Sequence, residues 1–150
     1  MSTNYYMMTK DKKLAKTYFD NEYTIVYEPY FGYEIHIGKR SCGWKPLFEA
    51  HSLAYHSIEE MLEFIKTHKS KIKLYDEYHH TLSIKDLKEE LVDWEKDQES
   101  RIIDLKDEGI YTSPIDHLEY INNNKHKYAY YAGNYFHDKD GFDFCEGSFW

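Results

Sequence analysis

Cysteine and proline are scarce in this chain of 150 residues, with two of the first and three of the second. Cys42 and Cys145 stand far apart with no CxxC spacing, a pattern that fits a reduced cytosolic protein better than a disulfide scaffold. A Cys42–Cys145 bridge is the alternative. No apolar run approaches the ~20 residues needed to cross a bilayer, so no membrane partner is expected. The N-terminal residues also lack the apolar core of a secretory signal. Positive charge is in deficit: 19 Lys and Arg against 27 Asp and Glu leave a net charge of −8. That balance argues against a nucleic-acid binder relying on a global basic field. The acidic stretch from Asp86 to Glu108 is interleaved with Lys88, Lys96, Arg101 and Lys106. It therefore reads as a solvated helix rather than an unbroken acidic face mimicking nucleic acid.

Motifs for metal binding and catalysis are missing as well. The nine histidines include no HExxH or HxH and share no Cys/His ligand spacing. Asp138, Asp140 and Asp143 surround Gly141 but miss the calcium-loop pattern and its closing Glu. Neither cysteine, nor Ser41, lies in a nucleophile motif. Cys42 is the more reactive candidate, because Lys39 and Arg40 beside it favour a thiolate. No metal and no cofactor is expected.

Aromatic residues are abundant instead. Sixteen Tyr, eight Phe and three Trp carry much of the apolar content, and large rings make a compact fold attainable at a mean hydropathy of −0.81. Residues 4–8, 23–27 and 33–37 read as strands, with 44–50 as a hairpin partner of the third. Pro46 points to an irregular or edge strand there. Ser57 with Glu60, and Ser83 with Asp86, make capping boxes that open two helices. Ile58, Met61, Leu62 and Ile65 line one face of the first; Ile84, Leu87, Leu91 and Trp94 line one face of the second, which extends toward Leu105. Lys71 to Tyr75 is a short strand, and a further short segment, helical through Tyr120, follows Pro114. Asp138 to Gly141 is a hairpin turn in an aromatic C-terminal stretch. The expected fold is a single α+β domain over residues 1–150: a small, mainly antiparallel sheet of N- and C-terminal strands packed with two to three helices.

The block Glu34 to Trp44 is the most informative. Two glycines bracket Lys39, Arg40, Ser41 and Cys42, which reads as a loop able to gather backbone N–H groups and two cations around an anion. A P-loop is excluded, because Gly32 to Lys39 is one residue too long and Arg40 replaces the required Ser or Thr. Gly38, Lys39, Arg40, Ser41 and Trp44 are the candidate binding residues. Glu34 and His36, two apart on a strand, share a face and are the pair for proton transfer if the protein is an enzyme. The ordinary alternatives are a hairpin loop with solvated cations and a hydrogen-bonded structural histidine. The terminal segment from Phe142 to Trp150 is expected to pack into the domain or into a second subunit as a homodimer.

Asn4-Tyr5-Tyr6, the block His36 to Trp44, Phe48, the helix carrying Phe64, and Asp76-Glu77-Tyr78 together resemble a group of small uncharacterised tailed-bacteriophage proteins. Asp140-Gly141-Phe142 and Glu146-Gly147-Ser148-Phe149 are similar to the endings of that group. Members of the group also place paired cysteines ahead of the His-Ile-Gly-Lys block, in the manner of a zinc knuckle. This chain has none between Met7 and Ser41. The resemblance implies a phage accessory protein in the host bacterial cytoplasm and no particular activity. The expected function is non-enzymatic binding of a host protein, in host takeover or counter-defence. The alternative is a protein that sequesters or processes a phosphorylated metabolite or nucleotide, an anionic small molecule.

Overall fold

The computed structural model describes residues 2–19, 24–26, 32–41, 46–93, 135–147 and 149. Among the described residues eight strands form one sheet: β1 (Ser2–Thr9), β2 (Thr24–Val26), β3 (Gly32–Ser41), β4 (Leu47–Glu49), β5 (Ile72–Asp76), β6 (Thr81–Leu82), β7 (Tyr135–His137) and β8 (Asp143–Cys145). Their order is β6-β5-β1-β3-β4-β8-β7, with β2 also paired to β3. All ladders are antiparallel except β4 with β8. The α+β architecture is thus as expected, and the N- and C-terminal strands do share a sheet. The short strand β4 joins them. It is an interior strand rather than an edge, with buried Pro46 just ahead of its first paired residue.

Helical segments cover one face. The first begins at α1 (Lys12–Leu14) and continues as a π-type turn over Ala15–Phe19. Asp11 caps it by accepting from the Leu14 N–H. Helix α2 (Ile58–Thr67) starts where Ser57 accepts from the Glu60 N–H. The Glu60 carboxylate reaches Ser57 Oγ and the His56 N–H rather than the Ser57 N–H, so only half of the expected box closes. Helix α3 (Ile84–Leu87) has both halves of its box and continues as a π-type turn over Lys88–Val92. Ile58, Met61, Phe64, Ile65, Leu87 and Leu91 from these helices meet Tyr5, Met7, Ile35, Ile37, Phe48, Leu74 and Phe144 from the sheet in one core. Trp94, the helix extension to Leu105 and the segment through Tyr120 lie outside the described residues.

The turn at the end of the sheet also serves the helix layer. Asp138 Oδ1 accepts from the N–H groups of Asp140 and Phe142, and Gly141 adopts a φ of +85°, which closes the β7–β8 hairpin. Asp138 Oδ2 accepts from the Ile58 N–H at 2.9 Å, giving α2 a second cap from 80 residues away.

Candidate functional site

Gly38, Lys39, Arg40 and Ser41 are not a loop. They are the C-terminal part of β3, paired with residues 2–5 of β1. Tyr5 faces Gly38 and Tyr6 faces His36, so Ile37 is an extra residue, a β-bulge. The bulge shifts the alternation of faces. Tyr6 and His36 lie together on the face away from the helices, their rings 5.4 Å apart. Beyond the bulge Lys39 falls on that same face, opposite Asn4, and Arg40 falls on the helix face. There Arg40 is buried and donates to the Glu90 carbonyl, with the Glu90 carboxylate 3.9 Å away. The Tyr5 hydroxyl donates to the same carboxylate at 3.3 Å. Burial, and then the Glu90 charge, push that phenol well above its ordinary value.

Lys39 and Arg40 therefore cannot close on one anion, because they are on opposite sides of the sheet. Gly38 is needed for close approach rather than for flexibility: a Cβ there would sit 2.6 Å from the Leu47 carbonyl oxygen of β4. Trp44 and Cys42 lie outside the described residues, so the Cys42–Cys145 pairing does too. Cys145 itself is buried on β8, and burial raises its thiol above the usual range.

Glu34 and His36 do share a face, as their spacing predicts. His36 places Nε2 2.8 Å from Asn4 Oδ1 and Nδ1 3.5 Å from Glu49 Oε1. His51 adds Nε2 at 3.3 Å from Glu49 Oε2 and 2.7 Å from the His36 carbonyl. A carbonyl only accepts, so His51 Nε2 carries a proton. Phe149 stands edge-on to the His36 ring at 4.8 Å, so the aromatic C-terminal stretch packs back into the domain. Glu49 and His51 are buried, and the cluster ties β1, β3, β4 and the turn after β4 to one another. These contacts join the strands but leave His36 Nδ1 buried without a hydrogen bond, at ion-pair distance from Glu49. Glu34 differs: among the described residues its side chain makes no hydrogen bond or ion pair, and desolvation pushes its carboxyl up to about 7. Among the described residues no group of three or more His, Cys, Asp or Glu is arranged to hold a metal ion.

The feature that a pass along the chain misses is a groove at the opposite edge of the sheet. Among the described residues strand β6 pairs only with Leu74 and Tyr75 of β5. Ser83 then caps α3, and the chain leaves the sheet before reaching Ile72 and Lys73. The result is an open groove of about 430 Å³ between the end of α2, β5, β6 and the start of α3. Ile65, Ile72, Leu74, Leu82 and Ile84 supply an apolar floor, and Lys69 and Lys85 stand around it. None of the described lining residues is acidic, in a chain of net charge −8. Its residues come from four elements, which is why no contiguous motif announces it.

No protein-family model, no curated protein and no solved structure matches the chain.

Proposed function

We propose that this chain is a non-enzymatic accessory protein that binds another protein. The partner, on the resemblance of the Asn-Tyr-Tyr and His-Ile-Gly-Lys segments to phage accessory proteins, is a host protein met in the bacterial cytoplasm. The groove carries the proposal. An apolar floor ringed by lysines, open at a sheet edge, is a surface on which a polypeptide gains both buried area and charge pairing. The groove at the β5–β6 edge is the contact surface we propose.

The separation of Lys39 from Arg40 by the sheet speaks against the phosphate-clamp alternative. The enclosure of His36 by Asn4, Glu49 and Phe149 speaks against proton transfer to a bound substrate. Among the described residues no helix is long and apolar enough to cross a membrane.

Affinity isolation from bacterial host cells tests the proposal with wild type and Leu82→Glu in parallel. Leu82 is half-buried in the groove wall, and circular dichroism establishes that the variant folds. One host protein, identified by mass spectrometry, should be retained in stoichiometric amount by wild type and lost with Leu82→Glu. Equal retention by both sinks the groove as the contact surface.

A further inference from the structure

We infer that the groove receives an amphipathic helix of the partner, with one apolar stripe flanked on both sides by acidic residues; this rests on the groove being a protein-binding site. The groove is a gap in the helix layer, and that is the first observation. Leu74 is the cross-strand partner of Met7 and of Leu82, and Ile72, two residues before it, shares its face. All three point to the side on which α2 and α3 pack, yet Ile72 and Leu82 stay only partly buried while Leu74 is covered. The walls are helical too: Ile65 belongs to the buried face of α2, and Ile84 opens α3. A sheet face of this kind is closed by a helix laying its apolar stripe on it, as α2 does with Ile58, Met61 and Ile65. Side chains three and four apart on an incoming helix would reach the floor between those walls.

Charge specifies the flanks. Lys69 stands just past the end of α2 and Lys85 is the second residue of α3, so each rises from a different wall, and both are exposed. Asp86, the acidic neighbour of Lys85, is turned back to the Ser83 N–H in its capping box. The acidic residues of α2 serve another surface: Glu59, Glu60 and Glu63 line a separate hollow with Tyr18 and Phe64. Helix α2 therefore divides a carboxylate-rich hollow from the lysine-rimmed groove. The net charge of −8 repels an acidic partner at long range, but screening at physiological salt leaves only charges within about 8 Å to act. At the groove those are the two lysines. A carboxylate on each flank of the stripe meets Lys69 on one side and Lys85 on the other, whereas a basic helix meets like charge at both.

The test is fluorescence anisotropy of the full chain with labelled alanine-based peptides of about 15 residues. The first carries a leucine stripe at helical spacing with glutamates along both flanks. The second has the same composition with its leucines at every second position, and the third keeps the stripe but replaces glutamate by lysine. The first peptide should bind, and the other two at least about tenfold more weakly. Lys69→Glu and Lys85→Glu, with circular dichroism to establish folding, should each weaken the first peptide about three- to tenfold and strengthen the lysine peptide. Equal or tighter binding of the respaced peptide overturns the helix. Indifference to both reversals overturns the acidic flanks, and a loss with one lysine alone overturns the two-sided arrangement. Failure of the first peptide, with a host protein still retained by wild type and lost with Leu82→Glu, sinks this inference alone. Failure of both removes the groove as a binding site.

Discussion

Replacing Gly38 by alanine tests whether this residue serves close strand approach, as β3 shows, or loop flexibility. The added Cβ lies 2.6 Å from the Leu47 carbonyl oxygen, 3.2 Å from Phe48 Cα and 3.4 Å from Phe48 Cδ1. The first two are backbone atoms, so no side-chain rotation relieves them. β4 would have to move by roughly half an ångström, against its ladders to β3 and β8 and the stacking of Phe48 on Phe144. Overpacking of this kind costs about 1–3 kcal/mol. Alanine offsets about 0.4–1 kcal/mol of that by narrowing the unfolded ensemble. The net expectation is a loss of about 1–2 kcal/mol. Urea unfolding followed by far-ultraviolet circular dichroism reads it as a midpoint lowered by roughly 0.5–1 M, for a slope near 2 kcal/mol per M. Gly141→Ala is the control: nothing lies within 4 Å of its Cβ, and its φ of +85° carries only backbone strain. A Gly38→Ala midpoint equal to or above that of wild type would refute the close-approach argument.

Other outcomes follow from the same contacts. Glu34 holds a proton in the folded state up to about pH 7 that the unfolded chain loses near the ordinary carboxyl value of 4.5. Stability therefore falls as pH rises across that window; Glu34→Gln should flatten the slope and stabilise the protein at pH 8 by roughly 1–2 kcal/mol, allowing for partial exposure, with unfolding midpoints at pH 5 and 8 as the check. Arg40→Ala empties a buried position and takes the partner from the Glu90 carbonyl, so it should cost about 2–4 kcal/mol. Lys39→Ala, on the other face, should cost less than half as much, and equal losses in thermal melts would contradict the face assignment. Asp138→Ala removes the acceptor for Ile58, Asp140 and Phe142 and should cost about 1–2 kcal/mol, with faster amide exchange in the first turn of α2. Unchanged exchange at Ile58 and Glu59 would show that Ser57 caps that helix alone.

Local signals carried most of the elements. Ser57 and Ser83 open helices where their caps predict, because capping is a contact between residues three apart. Residues 4–8 read as the strand that becomes β1, alternation marks the first half of β3, and Asp138 to Gly141 turns as its residues require. Boundaries moved where pairing partners set them. β3 runs on to Ser41 because β1 continues beside it, which makes strand of a segment whose glycines read as a loop. Pro46 suggested an irregular start or an edge; β4 begins just after it at Leu47 but lies between β3 and β8, the latter a parallel pairing with residues nearly a hundred positions away. Glu49 and His51 gave no signal, since neither forms a spacing motif and their partners His36 and Asn4 are distant in sequence.

What the sequence by itself determined is the class of the fold, the starts of α2 and α3, the turn at Asp138, and the shared face of Glu34 and His36, all consequences of contacts within a few residues. The tertiary structure decided where the charges go. One unpaired residue, Ile37, shifts the face of everything after it, sending Arg40 into the helix layer and Lys39 to the other side. Likewise the groove exists only because α3 starts immediately after β6, while β5 extends two residues further. Neither the bulge nor the vacated edge has a local signature, because each is a mismatch between two segments and becomes defined only when they pair.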